Sequence, residues 1–162
     1  MITYYRVDER VIHGQTLNVV TKQVPCDAII IVDNEIATDE YWSGIFKGMT
    51  SYKVLIFTIE VALKKLVEAH NSEKNYFVVF KHPTTLAELI QKGYAVTLPQ
   101  IMIGPQIARK DTTTFFPTMC LTNDEIEALD LIRSKGIEIY MQSILTEKPV
   151  TWTDAKKKRE VY

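Results

Sequence analysis

Three unbroken apolar runs, Ala28-Ile-Ile-Ile-Val32, Val54-Leu-Ile-Phe57 and Tyr76-Phe-Val-Val-Phe80, limit what this chain can fold into more than any other feature. A strand with one wet face alternates apolar and polar residues, whereas a short continuous run of β-branched and aromatic residues has both faces covered. Such runs belong inside a mainly parallel sheet with helices on either side. Seven stretches carry strand character: residues 2–7, 27–33, 52–57, 75–81, 100–104, 115–121 and 137–144. Between them lie helical segments with start and stop signals. Thr58 caps a helix whose Ile59, Ala62, Leu63 and Leu66 form one apolar stripe. Thr85-x-x-Glu88 and Thr122-x-x-Glu125 have the capping-box pattern, and Gly93 and Gly136 stand where a left-handed residue closes a helix. The resulting order, β-α-β-α-β-α-β-α-β-β-α-β, predicts an α/β fold, a three-layer α/β/α sandwich around a mainly parallel sheet of about seven strands.

At 162 residues the chain has the length of one domain, taken as residues 1–162. A chain of this size buries roughly 68–70% of its unfolded surface, so Cys26 and Cys120 are expected to be reduced core thiols rather than a staple. The connection 104–114 lacks a helical stripe and reads as a hairpin-like excursion of no fixed shape. Residues 152–162, with Lys156-Lys-Lys-Arg159, read as a helical or frayed basic tail, a solvated end being favoured over a binding patch. With 19 Lys and Arg against 20 Asp and Glu the net charge is −1, which supplies no global field for nucleic acid or an anionic membrane. No apolar run approaches 18 residues, and the N-terminus meets Arg6 before a signal core is built; a cytoplasmic protein is expected.

Ligands of open α/β sheets bind outside the carboxyl ends of the strands. The first such loop, Asp8-Glu9-Arg10-Val11-Ile12-His13-Gly14-Gln15-Thr16, is the richest in chemistry. It carries His13 to the start of a predicted helix, where free backbone N–H groups and a partial positive charge favour phosphate. Neither G-x-x-x-x-G-K-[ST] nor G-x-G-x-x-G is present, so a nucleotide in a glycine-rich cradle is disfavoured. His13, His70, His82, Cys26 and Cys120 lack the spacing of a zinc site, and no G-x-S-x-G elbow occurs. Neither a metal nor another cofactor is expected.

What remains is a histidine that itself carries a group. A neutral imidazole is a good nucleophile and forms covalent intermediates. A phosphoryl group on it needs nearby cations: a charge pair at about 4 Å is worth roughly 4 kcal/mol at an effective dielectric near 20, against about 0.3–2 kcal/mol for a helix dipole, so Arg10 should dominate. The plainer reading is that His13 is an ordinary loop residue and that Arg6 and Asp8 form an ion pair at the strand end. Asp33 either lines the same rim or caps a helix, and capping is favoured because an acid repels phosphate. Lys81, His82 and Thr84 either assist docking or supply ordinary loop polarity, the latter favoured. Tyr41 and Trp42 suit helix packing better than sugar stacking, and His70 reads as an exposed helix end.

The segment Arg6-Val-Asp-Glu-Arg-Val-Ile-His-Gly-Gln15 resembles the IIB components of the mannose/fructose/sorbose family of the bacterial phosphoenolpyruvate-dependent sugar phosphotransferase system, whose pattern is R-[IV]-D-[DE]-R-[LV]-I-H-G-Q. The likeness continues through Ile31-Val-Asp-Asn-Glu35, Val79-Phe-Lys-His-Pro83 and Leu121-Thr-Asn-Asp-Glu-Ile126 to about Val150. It implies that His13 is the phosphorylated nucleophile, through Nδ1, and Arg10 its phosphate-binding partner. Asp8 would shape the loop, and Gly14 and Gln15 would offer backbone N–H groups. The implied reaction is that of a protein-N(pi)-phosphohistidine–sugar phosphotransferase: a phosphorylated IIA protein or domain donates to His13, and His13 passes the group to a sugar held by the IIC/IID membrane complex, the chain meeting the membrane only through these partners. Glu9 and Leu145-Thr-Glu-Lys-Pro-Val150 lean toward the N-acetylgalactosamine/galactosamine branch. Two departures stand out: no aromatic residue lies in Thr16-Leu-Asn-Val-Val20, and the turn after the fifth strand is Ile103-Gly-Pro-Gln106. The competing reading is a non-catalytic α/β module that binds a phosphorylated metabolite or protein partner through the same loop.

Overall fold

A computed structural model describes residues 1–143 and 146–160. The elements run β1 (Ile2–Val7), α1 (Gly14–Gln23), β2 (Ala28–Val32), α2 (Asn34–Thr38), α3 (Glu40–Gly48), β3 (Lys53–Phe57), α4 (Ile59–His70), β4 (Tyr76–Phe80), α5 (Pro83–Gln91), β5 (Gln100–Ile103), β6 (Thr113–Phe116), β7 (Met119–Leu121), α6 (Asn123–Ser134), β8 (Glu138–Met141), β9 (Val150–Thr151) and α7 (Trp152–Glu160). The main sheet has the order β3-β2-β4-β1-β5-β8-β9, parallel throughout except for β9, which pairs antiparallel with β8. All five residues of β2 are buried, as are four of the five in β4, which explains why neither strand alternates. The expected three-layer α/β/α sandwich is the observed one.

The side chains of the sheet divide into two apolar layers. Ile29, Ile31, Phe77 and Val79 meet Val11, Ile12, Leu17 and Val20 of the first loop and α1, with Ile36 of α2 and Phe46 of α3. The opposite face, with Val7, Ile30, Val78, Phe80, Ile101 and Ile139, packs against α4, α5, α6 and α7. Fully burying one such aliphatic or aromatic side chain is worth about 1.5–3 kcal/mol. Thr58 caps α4 by accepting from Val61 N at 3.4 Å. Thr122 and Glu125 form the reciprocal capping box at α6, and Gly93 and Gly136 adopt φ of +100° and +82°.

The structure corrects several expectations. Residues 115–121 are not a strand of the main sheet: Pro117 and Thr118 turn the chain, so β6 and β7 form a separate antiparallel ribbon. The seventh strand is instead the short edge β9, too brief to leave a periodic signal. Thr85 lies inside α5, whose N-cap is His82 and whose first residue is Pro83, a position where a missing N–H costs nothing. Cys120 is buried, but Cys26 is only half-buried. The basic tail is helical as α7, anchored by buried Trp152 and Ala155. Of the strand expected at 137–144, Ile144 lies outside the described residues, as do Leu145, Val161 and Tyr162.

Candidate functional site

β1 ends between β4 and β5, and its last side chains set the site. Arg6 and Asp8 point to the α1 face, where the sheet is otherwise apolar, and both are buried. Arg6 Nε and Nη2 donate to Asp8 Oδ2, each at 3.0 Å. The chain then turns tightly: Val11 N donates to Asp8 O at 2.8 Å, and Arg10 N to Asp8 Oδ1 at 3.0 Å. Val11 has φ of +60°, a conformation costing about 1–3 kcal/mol for a non-glycine residue. It persists because the turn buries Val11 and Ile12 in the apolar layer beneath α1.

His13 emerges from this turn as the N-cap of α1. Its side chain makes no cap hydrogen bond, so the first N–H groups of the helix, those of Gly14 and Gln15 among them, are left uncapped. The imidazole packs inward by one nitrogen only: Nε2 lies 3.3 Å from Asp8 Oδ2 and in short contact with the buried Thr16 hydroxyl. Nδ1 has no hydrogen-bond partner among the described residues. The ring is 18% exposed, half-buried rather than fully presented. Arg10 stands beside it at 45% exposure, its Nε 3.5 Å from Asp8 Oδ1.

Asp8 therefore faces three cationic or donor groups from a site with no solvent access. Burial pushes its carboxyl upward, but the His13 hydrogen bond, the Arg6 charge and the Arg10 N–H outweigh it and hold the group below its ordinary value. The loop gathers the predicted Asp8, Arg10, His13, Gly14 and Gln15 into one place. Arg6 takes the ion pair expected of it.

Two further residues of the site were not anticipated. Thr16 sits under the ring. Gly104 lies so near that a Cβ there would come within 2.4 Å of Arg6 Nη2 and 2.5 Å of Asp8 Oδ2. The only sequence trace of that approach is a glycine closing the fifth strand. The loop it begins stays joined to the first one: Ile107 N donates to Glu9 Oε2 at 2.7 Å.

A second histidine occupies a similar place one strand away. His82, N-cap of α5, sets Nδ1 3.2 Å from Glu125 Oε1, and Arg109 Nη2 donates to Glu125 Oε2 at 2.7 Å. Burial raises the Glu125 carboxyl, while the nearby His82 ring, the hydrogen bond from Thr122 N and the charge of Arg109 together lower it below its ordinary value. Asp33 caps α2 by accepting from Ile36 N, and His70 ends α4 exposed. Among the described residues no cluster of three His, Cys, Asp or Glu side chains is arranged to hold a metal ion.

Between the first loop and α2–α3 lies a cleft of about 460 Å³, lined by Glu9, Arg10, Val11, Glu35, Ile36, Asp39, Trp42, Phe46 and Lys81. Tyr41 and Trp42 do not fill the helix interface as expected. Both are exposed, and Trp42 turns toward this cleft, backed by Phe46 at 6.2 Å between ring centroids. No described helix is long and apolar enough to cross a membrane.

Comparison with known proteins identifies the family and agrees with the fold. The family model described as "PTS system sorbose subfamily IIB component" matches residues 2–162. The mannose-specific EIIAB component of Escherichia coli K12 is 25% identical over 153 residues, covering 92% of this chain and 46% of that protein, so the chain spans about half the length of that relative. A sorbose-specific EIIB component of Lacticaseibacillus casei is 25% identical over 151 residues, 91% of this chain and 90% of the other. Among solved structures, the IIBSor domain of the Klebsiella pneumoniae sorbose permease superposes with a TM-score of 0.88 at 21% identity, covering 98% of this chain and 97% of that one. ManxB from Thermoanaerobacter tengcongensis gives 0.86 at 27% identity, covering 98% and 96%.

Proposed function

Because the chain belongs to the sorbose-subfamily IIB components of the sugar phosphotransferase system, we propose that residues 1–162 act as one phosphocarrier domain, taking a phosphoryl group from a phosphorylated IIA protein on His13 and giving it to a sugar. The observation that carries this reading is the division of labour on the His13 ring. Nε2 is tied to buried Asp8, and Nδ1 is left without a partner among the described residues. With the proton on Nε2, Nδ1 holds the lone pair, and the carboxylate behind the ring stabilises the positive charge that appears as Nδ1 bonds to phosphorus.

In the first transfer the P–N bond of the donor phosphohistidine breaks as the bond to His13 Nδ1 forms. In the second a sugar hydroxyl oxygen displaces Nδ1 from phosphorus, and the hydroxyl proton ends on the freed imidazole. Phosphoryl transfer depends mainly on placement and on charge stabilisation of the equatorial oxygens. Arg10 is the group suited to that role: Arg6 already neutralises Asp8 from below, and Arg10 touches Asp8 through Nε alone, at 3.5 Å, which leaves its two terminal nitrogens for a phosphate. The uncapped N–H groups of Gly14 and Gln15 add aligned donors on the same side.

The sugar, the IIC/IID membrane subunits and a cytoplasmic setting follow from the family rather than from contacts in this chain. The relatives include sorbose-, fructose- and mannose-specific components and an N-acetylgalactosamine-specific one, and the sequence of the first loop leans toward the last. The test is to incubate the chain with phosphoenolpyruvate, enzyme I, the histidine phosphocarrier protein and a cognate IIA. An acid-labile phosphate that is present in the parent and absent from His13→Gln, with the fold retained, is the expected result. An unlabelled parent beside a demonstrably phosphorylated IIA would favour the non-catalytic binding module instead.

A further inference from the structure

We propose that Thr16 is a positioning residue that keeps the phosphorylated His13 ring unprotonated at Nε2, its hydroxyl accepting from that nitrogen before transfer and donating to it afterwards. The inference rests on the phosphocarrier reading for the group that His13 holds, but the contact behind it is present in the free chain. Thr16 is the third residue of α1, 1% exposed, and its hydroxyl meets Nε2 of the ring one turn back. A threonine inside a helix can return its hydroxyl to a carbonyl of the preceding turn. Thr21 does so to Leu17 O, and Thr38 to Asn34 O at 2.9 Å. Thr16 does not: among the described residues its side chain has no hydrogen-bond partner except His13 Nε2. A buried hydroxyl without a partner is costly, so ring and hydroxyl hold each other in place.

Nε2 therefore has two neighbours of different kinds. Asp8 Oδ2, 3.3 Å away, belongs to a carboxylate held ionised, which only accepts, whereas a hydroxyl both accepts and donates. Among the described residues Asp8 alone is within ion-pair distance of the ring. Arg6 lies behind Asp8, and Arg10 touches Asp8 through Nε. From the neighbouring elements, Asp33 caps α2, Glu9 accepts from Ile107 N, and Glu35, Asp39 and Lys81 line the cleft beside Arg10.

In the free ring Nε2 carries the hydrogen, and both neighbours accept it. Attack by Nδ1 on phosphorus adds a substituent there while Nε2 keeps its hydrogen, so the ring becomes a cation. Loss of the Nε2 proton to water then gives a neutral ring with a lone pair on Nε2. The Asp8 carboxylate repels that lone pair, whereas the Thr16 hydroxyl rotates about its C–O bond and donates to it. Asp8 thus favours the protonated phosphohistidine and Thr16 the unprotonated one. The balance matters because the P–N bond breaks more readily when Nε2 is protonated, the leaving group then being a neutral imidazole. The protonation that prepares the group for transfer also exposes it to hydrolysis by water, and Thr16 tips the ring toward storage.

The test compares the parent chain with Thr16→Val, which keeps the shape and removes the hydroxyl, and with Thr16→Ser, which restores it. Each is labelled by phosphorylated IIA and, separately, by phosphoramidate. Nitrogen NMR follows the two ring nitrogens of His13 through the imidazole range of pH, beside the rate at which the label is lost, and signals remote from the loop report the fold. In Thr16→Val the protonation midpoint of the phosphorylated ring should rise by about 0.4–1 pH unit, the worth of one hydrogen bond. Above both midpoints the label should be lost about 2.5–10 times faster than from the parent. The midpoint of the unphosphorylated ring should move far less, because Nε2 keeps its hydrogen on both sides of that titration and the hydroxyl accepts in each. Thr16→Ser should return the phosphorylated midpoint toward that of the parent. A phosphorylated midpoint unchanged in Thr16→Val would overturn the proposal. So would one that moves together with the midpoint of the free ring, which marks a general change in packing, and so would a label carried on Nε2. Labelling by phosphoramidate but not by IIA, with the Thr16 effect present, keeps this role and removes the carrier. Labelling by IIA without the Thr16 effect removes this role alone, and a chain that neither donor labels removes both.

Discussion

His13 and His82 stand at neighbouring strand ends of one sheet and have nearly the same local structure. Each is the N-cap of a helix with extended backbone and no side-chain cap. Each sets a ring nitrogen 3.2–3.3 Å from a buried carboxylate that also takes an arginine. The differences lie in what is left over. At His82 the neighbouring Arg109 is committed to Glu125, and Pro83 removes the first N–H of the helix. At His13 a buried Arg6 neutralises the carboxylate, so Arg10 is in surplus and the first N–H groups of α1 remain available. A histidine, a carboxylate and an arginine thus make a structural clasp or a phosphate site according to whether a cation and a helix end are spare.

The sharpest way to break this contrast is to exchange each histidine for glutamine. His13→Gln should abolish labelling by phosphorylated IIA, and His82→Gln should leave it on the protein; equal loss in both would mean that the second cluster also takes part. Next in size is the pair of arginines. Arg10→Gln should slow phosphoryl acceptance by about 10²–10³-fold, as removal of a transition-state donor does. Its urea midpoint should barely move, since an exposed ion pair is worth about 0–1 kcal/mol. Arg109→Gln should do the reverse, costing about 1–3 kcal/mol of stability through the hydrogen bond lost to Glu125, with acceptance kept. Stopped labelling and urea melts on the same two proteins decide the matter.

Gly104→Ala probes the packing that only the first cluster has. The added methyl meets Arg6 and Asp8, which are pinned and cannot swing away, so a cost of about 1–3 kcal/mol is expected from urea unfolding. Alanine at Gly14, where nothing lies within 4 Å, is the matched control. The smallest effect is on acid stability. Both Asp8 and Glu125 are held below their ordinary values of 3.8 and 4.5, so the folded state binds fewer protons than the unfolded one in that region. Their contribution is complete above those values and disappears as the pH falls through the folded-state ones. Urea midpoints between pH 5 and pH 3 should fall less steeply in Asp8→Asn than in the parent.

The sheet was legible because its evidence is local: five-residue apolar runs such as Ala28 to Val32 state their own burial. The α6 capping box and the left-handed glycines at 93 and 136 are local as well. The first loop was legible through a ten-residue motif. What escaped was set by contacts between distant residues or by a break too short to disturb a pattern. Pro117 and Thr118 split an apparently single strand into a ribbon. Trp42 faces a cleft whose far wall is Arg10, and His82 finds Glu125 across the gap from α5 to α6. Gly104 was conspicuous only as a turn residue, because the guanidinium it admits belongs to a strand almost a hundred positions earlier.

The buried Arg6–Asp8 pair also acts as a key for alignment. In a parallel sheet made of near-uniform aliphatic strands, hydrophobicity alone distinguishes poorly between one strand register and the next. A one-residue slip of β1 would turn both charged side chains to the opposite face, among Ile30, Val78 and Ile103, without Gly104 to make room or α1 to supply Thr16. Each charge stranded there would cost several kcal/mol. The same ion pair that readies the first loop for phosphate therefore proofreads the assembly of the sheet that carries it.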